Sequence, residues 1–188
     1  MNKATLDKLV GFVKALKAKS CSINAYSNAG FTPLHIAIMT NFSTKEIDNS
    51  KAFIEEFIAN GADYKMEPKD EKKMPLLTMV ISKMTPLPPN KDGVILIQEA
   101  ESFELMKVLI DKGYNVNVLD PTKTTPLIVL LKKKIPEETK MEMVKYLLEH
   151  KANPKLKNKA NEKPLDIAGK DTPMYDLLKN PPKPVKKK

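Results

Sequence analysis

Arginine is absent from this sequence: all 32 basic residues are lysine, set against 23 acidic ones for a net charge of +9. That absence weighs against base and phosphate readout, because the planar guanidinium supplies the bidentate forks that recognise guanine and phosphate. The lysine excess fits a solubilising surface, an acidic protein partner, or long-range attraction to nucleic acid or an anionic membrane. Cysteine occurs once, at Cys21, so no internal disulfide can form and packing must hold the fold together. No run of about 18 apolar residues occurs anywhere. Lys8, Lys14, Lys17 and Lys19 punctuate residues 1–20, which removes any intact signal-peptide core there. The expectation is a soluble, cytoplasmic chain, or a periplasmic or secreted one whose leader has been trimmed.

The sequence is equally short of catalytic constellations. His35 and His150 are its only histidines, and neither has a Cys or His at metal-ligand spacing. Cys21 has no histidine nearby in sequence to activate it as a nucleophile. The six glycines form no G-x-G-x-x-G or P-loop phrase. Carboxylate pairs such as Glu55-Glu56 and Glu137-Glu138 fall on polar helix faces or helix starts, where solvated charge is the ordinary reading. No catalytic residue, cofactor or metal is therefore expected.

What the sequence does contain is a repeat. Pro-Leu recurs in four phrases: Thr32-Pro33-Leu34-His35, Met74-Pro75-Leu76-Leu77, Thr125-Pro126-Leu127-Ile128 and Lys163-Pro164-Leu165-Asp166. Each is preceded, 13 or 14 residues ahead of its proline, by a second marker that starts at Ser20, Gly61, Gly113 or Lys151. Proline suits the first turn of a helix, where its missing N–H would have no intrahelical partner, and a preceding Thr can cap. Gly61 and Gly113 follow apolar-periodic stretches, as left-handed C-terminal caps do. Stripes at i, i+3, i+4 spacing mark second helices: Phe53, Ile54, Phe57, Ile58; Met106, Leu109, Ile110; and Met143, Val144, Leu147, Leu148. Asp171 to Leu178 reads as a shortened fourth, and Leu6, Leu9, Val10, Val13 and Leu16 as an amphipathic helix ahead of the first unit.

Thr32-Pro33-Leu34-His35-Ile36-Ala37 and Asn60-Gly61-Ala62-Asp63 resemble the signature of the ankyrin repeat, a unit of about 33 residues made of a β-turn and two helices. The resemblance covers residues 5–179. It implies an all-α fold, an ankyrin-repeat solenoid of helix-turn-helix units joined by β-hairpin-like turns. The units fall at about 20–60, 61–112, 113–150 and 151–179, behind an N-terminal cap helix at about 5–18. The proline-to-proline intervals of 42, 51 and 38 residues exceed the family's period. Nearly all the surplus lies between first and second helices, at 41–50, 85–100 and 132–140, where a solenoid tolerates insertion. The resemblance further implies that His35 hydrogen-bonds neighbouring turns.

Ankyrin arrays bind other proteins, so the resemblance implies a non-catalytic interaction module using hairpin tips and the exposed side of the inner helices. Carried over by position, the partner-binding candidates are Tyr26, Asn28, Phe31, Met66, Lys69, Leu119, Thr122, Lys157 and Lys159 on the tips, and Met39, Lys132 and Lys133 on the inner helices. Exposed aromatic and apolar tips are candidate anchors, and the alternative is that they pack against adjacent hairpins. A short stand-alone array suits an inhibitor or immunity protein that occludes a partner enzyme. The contrasting reading is a lysine-rich binder of nucleic acid or anionic membrane. The proline-rich insertion at 85–97 either joins in recognition or extends a helix. Residues 180–188, rich in Pro and Lys, read as a disordered tail. Because 151–188 holds 11 Lys against 4 carboxylates, an acidic protein partner would be drawn to that end first, and the free chain is expected to be monomeric.

Overall fold

The computed structural model describes residues 11, 13–15, 18–19, 22–41, 47–84 and 98–185. Among these residues the chain is all-helical, with no strand. Eight helices have both ends described: α1 (Pro33–Asn41), α2 (Ile47–Ala59), α3 (Leu76–Ser82), α4 (Gln98–Asp111), α5 (Pro126–Leu131), α6 (Glu137–Glu149), α7 (Pro164–Ala168) and α8 (Pro173–Lys179). The expected N-terminal helix falls largely outside the described residues, but 11, 13–15 and 18 are helical and Val13 is buried. Cys21 and the 85–97 insertion also lie outside them.

The Pro-Leu phrases open the odd-numbered helices. Thr125 caps α5 by accepting the Ile128 amide at 3.3 Å, and Thr32 Oγ1 accepts the His35 amide of α1 at 3.4 Å. Where the second phrase has Met74 in place of threonine, a carboxylate supplies the acceptor: Glu67 Oε2 takes the Leu76 amide at 3.2 Å. In the fourth, Asp166 reaches back to the Lys163 amide at 2.8 Å. The helices α2, α4 and α6 end alike. Gly61, Gly113 and Lys151 adopt φ of +99°, +96° and +72°, and the paired amides that follow return to the last turn. In the first case these are Gly61 N to Ile58 O and Ala62 N to Phe57 O, as a Schellman cap requires. Glycine takes that backbone without strain, whereas Lys151 must bear a Cβ there.

Packing sorts the helices into two rows. Helices α1, α3, α5 and α7 touch in sequence along one row; α2 packs on α4; and each odd helix packs on the even helix that follows it. Helix α4 meets α6 through an edge-to-face contact of Phe103 and Tyr146, with ring centroids 5.9 Å apart. The core fills the space between rows, with Leu34, Ile38, Ile54, Leu76, Ile81, Leu105, Met106, Leu109 and Leu127 all essentially solvent-free. Each such side chain contributes about 1.5–3 kcal/mol by leaving water. Every residue from Leu76 to Ile81 is buried, because α3 has neighbours on both sides and beneath it. Among the described residues no helix is long and apolar enough to cross a membrane.

Candidate functional site

Between each even helix and the next odd one the chain makes an extended excursion built on a repeated side-chain device. Ser22, Asp63, Asn115 and Asn153 each accept, through a side-chain oxygen, the backbone amide two residues on, at 2.9 to 3.3 Å. These are local turns of the kind short polar side chains favour. The tips close similarly. Ser27, Asp120 and Asn158 donate their amides to the carbonyls of Phe31, Thr124 and Glu162. The residue three before the proline has positive φ in each: Gly30 (+72°), Lys123 (+57°) and Asn161 (+63°).

Neighbouring excursions are stitched at two junctions out of three. Asn24 clamps the next turn, donating to Gly61 O at 3.0 Å and accepting the Asp63 amide at 2.8 Å. Asn117 does the same to Lys151 O and the Asn153 amide, at 2.9 and 2.8 Å. At the tips, the Lys69 amide donates to Gly30 O and the Lys159 amide to Thr122 O, each at 2.9 Å. Between the second and third excursions neither device occurs among the described residues. Lys65 stands where the clamping Asn would be. The contact there runs deeper, through Tyr64 to Lys112 O and through a short hydrogen bond from the Tyr114 hydroxyl to Glu67.

Where the tips are unstitched, a groove of about 580 Å³ opens, with Pro68, Pro75, Val118, Leu119 and Pro121 as its apolar wall. Glu67, Asp70, Glu71 and Asp120 face Lys72, Lys73 and Lys159 around it. Leu119 is 48% exposed, an apolar anchor of the kind that centres binding surfaces. Glu67 is part of the floor. Burial raises its pKa, against the lowering effect of the Tyr114 and Leu76 hydrogen bonds. Burial, then the Glu67 charge, raises that of Tyr114, so the phenol remains the donor. Asp120 accepts through Oδ1 from the Thr122 hydroxyl and the Thr122 and Thr124 amides, all within 2.8 Å.

The structure divides the residues singled out from the sequence. Leu119 and Lys159 line the groove; Lys69 and Thr122 stitch its neighbours, and Met66 is half-buried in the second excursion. Tyr26, 39% exposed, donates its hydroxyl to Glu67 O at 2.8 Å, and Asn28 is exposed on the first tip. Phe31 is half-buried, with the Lys73 ammonium 4.3 Å from its ring centroid. On the odd-helix row, Met39 is 40% exposed and Lys132 pairs with Glu162. The Lys133 ammonium donates to Ser82 O, and burial lowers its pKa; Lys83 reaches Ile38 O of the preceding helix in the same manner. Lys157 bonds Asn161 at 2.7 Å.

His35 departs from expectation. Its Nδ1 lies 2.7 Å from Thr32 Oγ1 and accepts the Thr32 amide, so the imidazole serves its own turn and not a neighbouring one. Its Nε2 is buried with no partner among the described residues. His150 closes α6, stacked on Tyr146 with centroids 4.2 Å apart.

Sequence reasoning did not single out Glu67, because nothing in its local pattern announces that it replaces a missing cap on the next helix. The absence of Thr before Pro75 was the available signal. Among the described residues no group of three or more His, Cys, Asp or Glu could hold a metal ion. Compared with protein-family models the chain matches none, and a search of the curated proteins finds no match either.

Proposed function

We propose that this chain is a divergent ankyrin-type solenoid of about four repeats that binds a partner protein and performs no chemistry. Three features support the reading: the Thr-Pro-Leu-His phrase, the side-chain turn that recurs in all four units, and packing in which, among the described residues, each helix pair makes its substantial contacts with the pairs beside it. The groove between the second and third tips carries the functional part of the proposal. It is the junction where the stitching lapses and an exposed leucine faces solvent beside unlike charges. Such a surface suits a partner segment that lays an apolar residue against Leu119, while the lysine-rich C-terminal unit attracts acidic surface around it. Occlusion of a partner enzyme, as an inhibitor or immunity protein, is the specific form we favour, acting in the cytoplasm.

The test is recovery of partners from native lysate on the tagged chain, with nuclease and high-salt washes, beside Leu119→Asp. Expected is a salt-resistant protein that the variant loses while its thermal midpoint is unchanged. Recovery that ignores Leu119→Asp overturns the site. Material released by nuclease or salt alone overturns the protein-binding reading in favour of a lysine-driven polyanion binder.

A further inference from the structure

A second groove lies elsewhere on the molecule, and the chain's own tail forms part of its wall. After α8 the sequence Pro181-Pro182-Lys183-Pro184-Val185 runs back to the ends of α4 and α6. Three prolines fix φ at their positions and favour an extended polyproline conformation, which forms no hydrogen bonds within itself. Its few amide donors must therefore bond elsewhere. The Val185 amide does so, donating at 2.9 Å to Glu149 O, a carbonyl at the C-terminal end of α6 that the helix itself leaves unpaired.

The space left beside this segment, with Pro184 and Val185 forming part of its wall, measures about 610 Å³. Ile110, Tyr114 and Val116 are buried apolar floor residues, while Asp111, Glu149 and His150 form polar walls. Lys151 is at its edge. The two carboxylates and the negative end of the α6 dipole suit a basic ligand, and the segment carries Lys183 before Val185 and three lysines after it in the sequence. The occupant is held lightly. Val185 remains 54% exposed, and the cavity beneath it is not filled by the tail.

We propose that this groove is a docking site for an extended, proline-bearing basic peptide, and that the chain's own C-terminal segment is its resident competitor. A peptide already in polyproline form loses little entropy on docking, which is how proline-rich ligands are commonly read. The site shares no lining residue with the groove between the tips, so either proposal can fail without the other.

The experiment titrates a synthetic peptide matching residues 180–188 into two full-length proteins, the unaltered chain and the double variant Pro184→Gly, Val185→Asp. Amide spectra report the position of binding and confirm that the fold is unchanged. A resident tail that holds its seat beside Glu149 nine-tenths of the time would weaken apparent affinity about tenfold, so the variant should bind about tenfold more tightly than the unaltered chain. Shifts should centre on Tyr114, Val116 and His150. Equal affinity for both proteins would show that the tail does not compete and would overturn the proposal. So would absence of saturable binding to the folded variant, or shifts centred on any other surface.

Discussion

His35 shows how one side chain couples this fold to pH. It is 1% exposed, and burial lowers its pKa from 6.5 to about 4. With Nδ1 accepting from Thr32 and Nε2 enclosed, the native state holds the neutral ring. The unfolded chain takes up a proton near pH 6.5 while the native state refuses it until about pH 4. Stability associated with His35 is thus complete above about pH 6.5, falls as pH drops, and is gone below about pH 4. The gap corresponds to at most about 3 kcal/mol. Glu67 has the opposite sign. Its raised pKa means that its contribution is present at low pH and lost as pH rises through the native value, so it offsets part of the acid loss. Urea unfolding across this range should show a marked decline for the natural chain and a shallower one for His35→Gln, which cannot charge. Parallel curves for the two proteins would mean that the native ring titrates normally.

At the scale of elements, Asn117 joins the third excursion to the fourth with two hydrogen bonds from a single side chain. Asn117→Ala leaves Lys151 O and the Asn153 amide without that partner, and at about 1 kcal/mol per bond it should cost about 2 kcal/mol. The loss should be local. Hydrogen exchange should accelerate in 151–179 while 47–84 stays protected, and uniform acceleration over the chain would contradict a clamp acting on one junction. The elements themselves were readable because their signals are local: Pro33, Pro126 and Pro164 begin α1, α5 and α7, and the apolar stripes fall within α2, α4 and α6. Gly61 and Gly113 likewise have the positive φ of helix caps. The site was less readable because it arises from differences between units. The resemblance implied a tip position for Leu119, but the groove beside it depends on Lys65 standing where its counterparts have Asn, and on Glu67 taking over from a missing threonine. The first effect crosses from one unit to another and the second joins residues nine apart, both outside the reach of a local pattern. Phe31 and Lys133 look like surface residues in the sequence, yet the first packs beneath Lys73 and the second is drawn to Ser82 O at the end of α3.

Over the whole molecule, the packing links each helix pair to the pairs beside it in sequence, and no substantial contact between described helices bridges the first pair to the third or the second to the fourth. Stability in such a chain approximates a sum of unit and nearest-neighbour terms, so the consequence of losing a core side chain depends on its place in the row. Leu178 on α8 and Leu109 on α4 are both fully buried leucines, and truncating either to alanine removes about 2–5 kcal/mol of transfer and cavity energy. At Leu178 that loss falls on an end unit with one neighbour. Leu178→Ala should release α7 and α8 alone, together with the tail segment on the far side of α8, and split urea unfolding into an early partial step and a late main one. At Leu109 the same loss falls on α4, which packs on its own partner α3 and meets α2 on one side and α6 on the other, so the units on both sides lose their shared support. Leu109→Ala should lower the main transition without an early step. Hydrogen exchange read segment by segment separates the cases: early exposure confined to 164–185 for the first, joint exposure from 47 to 149 for the second. If both variants lower a single transition equally, the core behaves as one cooperative body, and additive nearest-neighbour coupling is the wrong description of this chain.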